Sequence, residues 1–151
     1  MDKAAEEIFE QLEHYFMGEA SEPYSDKALT LAYEPINVGE IENPDTSGYV
    51  KGSCGDEMTI FLKVQNGKIY DAKFLTDGCG ATLACGSTVT ELAKGKTIWE
   101  AKKIYPQSIV NYLGGLPVSH LHCAFLAVRA LRKALDNLNS REEINNVSYS
   151  F

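Results

Sequence analysis

Residues 58–76 admit little other than a β-hairpin. Met58, Ile60, Leu62 and Val64 alternate with Thr59, Phe61 and Lys63, the period of two that sends successive side chains to opposite faces of a strand. Asn66-Gly67 follows, a pair suited to a two-residue turn whose central positions both need positive φ. The return strand is expected from Lys68 to about Thr76, with Tyr70, Ala72, Phe74 and Thr76 on one face. Such a sheet has to bury its apolar face against another layer, and the rest of the chain offers helices.

Helical spacing appears on both sides of the hairpin. Over residues 2–19, Ile8, Phe9, Leu12, Tyr15 and Phe16 recur at three- and four-residue intervals, and Ser21-Glu22-Pro23 breaks the pattern. A short helix is expected over 25–33, ending before Pro35. Residues 36–53 are loop-like, with a short strand near Tyr49-Val50. After the hairpin, a helix from Ala81 ends at Gly95, Thr97 to Glu100 is a capping box, and Pro106 can open a further helix. Gly114-Gly115-Leu116-Pro117 makes a stiff break before a long helix over roughly 119–139. The expected class is therefore α+β: a small antiparallel sheet of about three strands, helices packed on one face, and a long C-terminal helix. The division expected is a helical extension over 1–23, a domain over 24–140 and a polar tail over 141–151.

A chain of 151 residues can bury roughly 70% of its unfolded surface, so it needs no metal or disulfide merely to fold. Any metal site is then expected to serve function. Acidic residues outnumber basic ones by 21 to 14, which argues against a partner bound through nucleic-acid phosphates. No stretch suits a membrane span, and the acidic N-terminus does not resemble a signal peptide, so a cytoplasmic location is expected. The four cysteines read as thiols rather than disulfides.

Three of those thiols stand at the edges of elements. Cys54 lies in Gly52-Ser53-Cys54-Gly55-Asp56 before the first hairpin strand, and Cys79 lies in Gly78-Cys79-Gly80 where strand gives way to helix. Cys123 follows His122 in the first turn of the last helix. A thiol near a helix N-terminus is expected to favour the thiolate, the form that ligates soft metals and attacks a persulfide. Asp56 offers an oxygen and His122 a nitrogen, enough with three sulfurs for a zinc or [2Fe–2S] site with one labile ligand. Against this, free cysteines are among the most buried residues, and no local C-x-x-C pair is present. Cys85 lies six residues beyond Cys79, about 240° around a helix, and is expected to pack in the core rather than share the ligand face.

Taken as a set, Cys54-Gly55-Asp56-Glu57-Met58, Gly78-Cys79-Gly80, Glu91 to Thr97, Leu113-Gly114-Gly115-Leu116-Pro117 and His122-Cys123-Ala124 resemble the IscU/NifU family of iron–sulfur scaffolds. The resemblance covers about 24–138. It implies a carrier rather than an enzyme: a scaffold that takes sulfur from a cysteine desulfurase, combines it with iron, and passes the cluster to acceptor apoproteins, with iron or electron donor proteins as further partners. It implies Cys54, Cys79 and Cys123 as cluster ligands, Cys123 as persulfide acceptor, Asp56 as the acid that keeps the cluster labile, and His122 as an alternative ligand. A [2Fe–2S] cluster is implied, with zinc able to occupy the same place.

The sequence departs from the family pattern in places. Family members often carry Leu-Pro-Pro-Val-Lys where this chain has Leu116-Pro117-Val118-Ser119-His120, which weakens the expectation of a chaperone partner. His120 reads more readily as a surface residue at a helix start than as an extra metal ligand. The extension over 1–23 has no family counterpart; it is expected to pack on its own domain, a homodimer or partner contact being the sharper alternative. A zinc-bound acceptor that activates a desulfurase competes with the scaffold reading. A zinc hydrolase is disfavoured, because no H-x-E or H-E-x-x-H arrangement occurs.

Overall fold

The protein is described by a computed structural model over residues 24–149. Its elements are α1 (Asp26–Tyr33), β1 (Thr46–Lys51), β2 (Glu57–Gln65), β3 (Lys68–Thr76), α2 (Gly80–Ala93), α3 (Ile98–Ala101), α4 (Pro106–Leu113), a 3-10 turn (Val118–His120) and α5 (Leu121–Tyr149). The strands form one antiparallel sheet in the order β1-β2-β3, so the α+β expectation holds. The helix expected over 2–19 and the extension over 1–23 lie outside the described residues.

The hairpin forms as its sequence dictates. Asn66 and Gly67 adopt φ of 56° and 74°, closing the turn between Gln65 and its partner Lys68. Met58, Ile60 and Leu62 are fully buried on one face. The return strand departs from simple alternation. Lys63 pairs with Asp71 and Val64 with Ile69, which leaves Tyr70 as an extra residue in a bulge. Ile69 therefore turns inward beside Ala72 and Phe74, and Tyr70, expected to share a face with those two, is exposed.

Two close approaches bring helices onto that face. Gly48, Ile60 and Phe74 stand opposite one another in a row across the sheet. At one end of the row a Cβ on Gly48 would lie 2.3 Å from the backbone nitrogen of Ala134, so only glycine lets α5 lie so close to β1. Thr46 Oγ1 ties the same contact by donating to the Ala134 carbonyl at 2.7 Å. At the other end Phe74 fills the space over Gly86 of α2, where a Cβ would meet the ring at 2.3 Å. Helix α2 is buried on nearly every side, and its polar residues are satisfied. Thr88 and Thr90 bond back to Ala84 and Gly86 carbonyls, and Ser87 accepts from Ile36 N–H. Thr82 turns its hydroxyl toward the thiols described below.

The end of α5 differs from expectation. It runs to Tyr149 through the segment expected as a polar tail, because no Gly or Pro interrupts it and Arg141-Glu142-Glu143 are good helix formers. Its start is held by the break at 114–117: Gly114 caps α4 with φ of 77°, and a single 3-10 turn then delivers His122 and Cys123 into the first turn of α5.

Candidate metal and thiol site

Three separate segments converge at one end of the sheet. The turn between β1 and β2 supplies Cys54 and Asp56, and it is tight: Gly52 N–H bonds to Asp56 O at 2.7 Å, and Gly55 takes a φ of 93°. The junction of β3 and α2 supplies Cys79 as the N-cap of α2. The start of α5 supplies His122 and Cys123.

Ligand atoms of these residues fall into two groups, each within 4.8 Å of one another: Cys54, Asp56 and His122, and Cys79, His120 and Cys123. The groups adjoin. His122 Nε2 lies 3.6 Å from Cys123 Sγ, and the Thr82 hydroxyl sits 3.3 Å from Asp56 Oδ2, 3.4 Å from Cys123 Sγ and 3.7 Å from Cys79 Sγ. All five residues singled out from the sequence thus meet in one place. Cys85 is fully buried, and burial pushes its thiol far up, consistent with a core residue.

The thiolate expectation holds for one thiol and fails for another. Burial pushes the Cys79 thiol up, but the backbone N–H and hydroxyl of Thr82 and the N–H of Ala81 outweigh it, and the net direction is down. At a helix N-terminus those donors are free to face the sulfur. Cys123 goes the other way, pushed up to about 11 by burial and by the neighbouring Cys79, Asp56 and Cys54, against the hydrogen bond from Thr82. It is fully buried, so desolvation of the charged form exceeds any gain from the helix end. Cys54 and Cys79 are exposed.

Two residues were missed or misplaced by sequence reasoning. Thr82 is fully buried and touches three site residues; its position three after Cys79 on one helix face was the available signal. His120, expected at the surface, is half-buried and faces Cys79 and Cys123, with its ring 5.4 Å from Tyr24 and 6.1 Å from His122. Burial, and then His122, hold its imidazole below the usual range, in the neutral form that ligates metals. A cavity of about 360 Å³ beside α1 opens onto Cys79 and His120.

A donor set of three sulfurs, one carboxylate and two imidazoles suits zinc, ferrous iron and iron–sulfur clusters. The scaffold protein IscU 1 of Archaeoglobus fulgidus is 50% identical over 113 residues, covering 74% of this chain and 74% of its own. The iron–sulfur cluster assembly scaffold protein IscU of Buchnera aphidicola is 42% identical over 127 residues, covering 81% and 98%. A NifU-like N-terminal domain from Brucella abortus superposes with a TM-score of 0.64 over 76% of this chain and 93% of its own, at 18% identity, and so speaks to the fold. Residues 23–145 match the model of the NifU-like N-terminal domain. With the sheet, the long final helix and the convergent thiols all in place, the chain belongs to the IscU/NifU family of NifU-like N-terminal domains.

Proposed function

We propose that this protein is a scaffold on which an iron–sulfur cluster is assembled from iron and desulfurase-derived sulfur, then passed to acceptor apoproteins. The observation that carries the reading is convergence: Cys54, Asp56, Cys79, His122 and Cys123, drawn from three segments, lie in two adjoining ligand groups joined at Thr82. A structural zinc would be expected to be closed and buried, whereas here Cys54, Cys79 and His122 face solvent, as a cluster that must arrive and leave requires. The carboxylate and imidazole bind iron less tenaciously than thiolate would, which keeps the cargo labile. A [2Fe–2S] cluster is the cargo proposed, and zinc competes for the same donors.

Sulfur transfer follows from thiol chemistry. An acceptor thiolate, Cys123 in this proposal, attacks the outer sulfur of the desulfurase persulfide; the donor's S–S bond breaks and the donor leaves as a thiolate. Two electrons from a donor protein then reduce that sulfur to sulfide. Because Cys123 is buried and protonated in the closed, metal-free form, a step that uncovers and deprotonates it has to come first. Cys79 is the thiol ready to react without that step.

The test is anaerobic reconstitution with iron, cysteine and a desulfurase, comparing wild type, Asp56→Ala and Cys123→Ser by visible absorption and metal analysis. The scaffold reading expects a chromophore that persists longer in Asp56→Ala, fails in Cys123→Ser, and transfers from wild type to an apo-ferredoxin. One tight zinc and no chromophore, with the desulfurase still stimulated, would overturn it in favour of a zinc-bound sulfur acceptor.

A further inference from the structure

We propose that His120 is a metal ligand which, with Cys79 and Cys123, forms a three-donor subsite for a soft divalent cation, Zn²⁺ or Fe²⁺. This deepens the scaffold reading and rests on it only in that metal enters this site. The donor atoms of the three residues lie within 4.8 Å of one another, a spread that one ion can bridge after small side-chain adjustments. Two thiolates and one imidazole with a fourth position open is an established zinc donor set.

Among the described residues the His120 ring makes stacking contacts and no hydrogen bond through Nδ1. Its Nδ1 is buried and has no hydrogen-bond partner among the described residues, a costly arrangement for a polar atom unless something completes it. Its ring contacts are tilted stacking with Tyr24 and His122, which orient the imidazole without using its nitrogens. The cavity of about 360 Å³ shared by Cys79 and His120 gives the ion a route from solvent that does not pass the other ligand group.

The two groups differ in chemistry. Cys79, His120 and Cys123 present two sulfurs and a nitrogen, with Cys123 fully buried; Cys54, Asp56 and His122 present a sulfur, an oxygen and a nitrogen, with two of the three exposed. A soft cation therefore enters the first group in preference to the second. His122 Nε2, 3.6 Å from Cys123 Sγ, stands where the second group can complete the coordination or receive a second ion. The chain would thus hold one cation on the sulfur-rich side before both groups are engaged.

The experiment uses the full chain, metal-free, titrated with Co²⁺ alone and then Zn²⁺ alone. Cobalt absorption reports thiolate and tetrahedral coordination, and a long-range ¹H–¹⁵N spectrum of the histidine rings in wild type reports which imidazole binds zinc. The expected result is a metal-bound shift of a His120 ring nitrogen at the first equivalent. His120→Ala and His120→Gln should weaken that equivalent by about a hundredfold, at or above the upper end of what losing an outer-shell partner costs, with apo melting midpoints unchanged. A His120 ring that is unmoved at zinc saturation while His122 shifts would overturn the proposal, and this wild-type reading stands even if the variants fold poorly. Loss of the reconstituted chromophore in the desulfurase assay would sink the scaffold reading while leaving the His120 shift intact. A chromophore formed with His120 silent would do the reverse.

Discussion

Thiol alkylation of the metal-free protein separates Cys79 from Cys123 by an amount the structure sets. With its thiol at about 11 against an ordinary value of 9.0, Cys123 has roughly a hundredfold less thiolate than an ordinary cysteine at neutral pH. The more basic thiolate is also more nucleophilic, and a Brønsted slope near 0.5 returns about a factor of ten over those two units. Ionisation alone therefore leaves Cys123 about tenfold slower than an ordinary thiol. Burial slows it further, because the reagent reaches a fully buried sulfur only when the site opens. Cys79 is exposed with its thiol shifted down, so it reacts at least as fast as an ordinary cysteine. A brief pulse of iodoacetamide on chelator-treated protein, read by peptide mass spectrometry, should label Cys79 more than about ten times faster than Cys123. Cys85, fully buried and strongly protonated, should be slowest. Equal rates at Cys79 and Cys123 would refute the claim that the closed form shields the proposed persulfide acceptor. The open, reactive form would then be the resting one.

Three other outcomes follow from the same geometry. Gly48→Ala places a Cβ 2.3 Å from helix backbone, and overpacking of this kind costs about 1–3 kcal/mol, so the metal-free melting midpoint should fall by roughly 2–12 °C; an unchanged midpoint would mean β1 and α5 do not approach so closely. Stability of the metal-free protein should fall as pH rises above 9: the folded Cys123 thiol sits above its unfolded value of 9.0, so its contribution is complete below pH 9 and is lost toward 11. The two-unit shift corresponds to about 2.7 kcal/mol at most, and urea midpoints should drop less over that range in Cys123→Ala than in wild type. Thr82→Val removes a hydroxyl whose hydrogen bonds lower both thiols, so thiolate ultraviolet absorbance should titrate at higher pH, with Cys79 moving most visibly; an unmoved titration would take Thr82 out of the site's electrostatics.

Local rules carried much of this fold in the sequence. The Asn66-Gly67 turn, the Ser25 cap of α1, the capping box at Thr97 and Glu100, and Pro106 at the start of α4 each depend on a few neighbouring residues, and each forms as its chemistry requires. Ligand residue types were legible too, because thiols at element edges, two of them beside glycine, are visible as a pattern. Properties that depend on packing were not. Tyr70 parts from the face of Ala72 and Phe74 because a bulge, a matter of strand pairing, shifts the register at Lys63 and Val64. The ionisation of Cys123 follows from how deeply α5 sinks against the sheet, which overrides the local advantage of a helix N-terminus.

The sequence by itself determined the hairpin, the helix boundaries at strong caps and stops, and which side chains could bind a soft metal. Only the tertiary structure decided that five of them, and His120 besides, share one site, and which thiol there is shifted toward the thiolate and which away from it. The physical reason is range. Turn geometry, capping and chemical softness belong to a residue and its nearest neighbours, whereas burial and the meeting of segments tens of residues apart exist only once the helices have closed over the sheet.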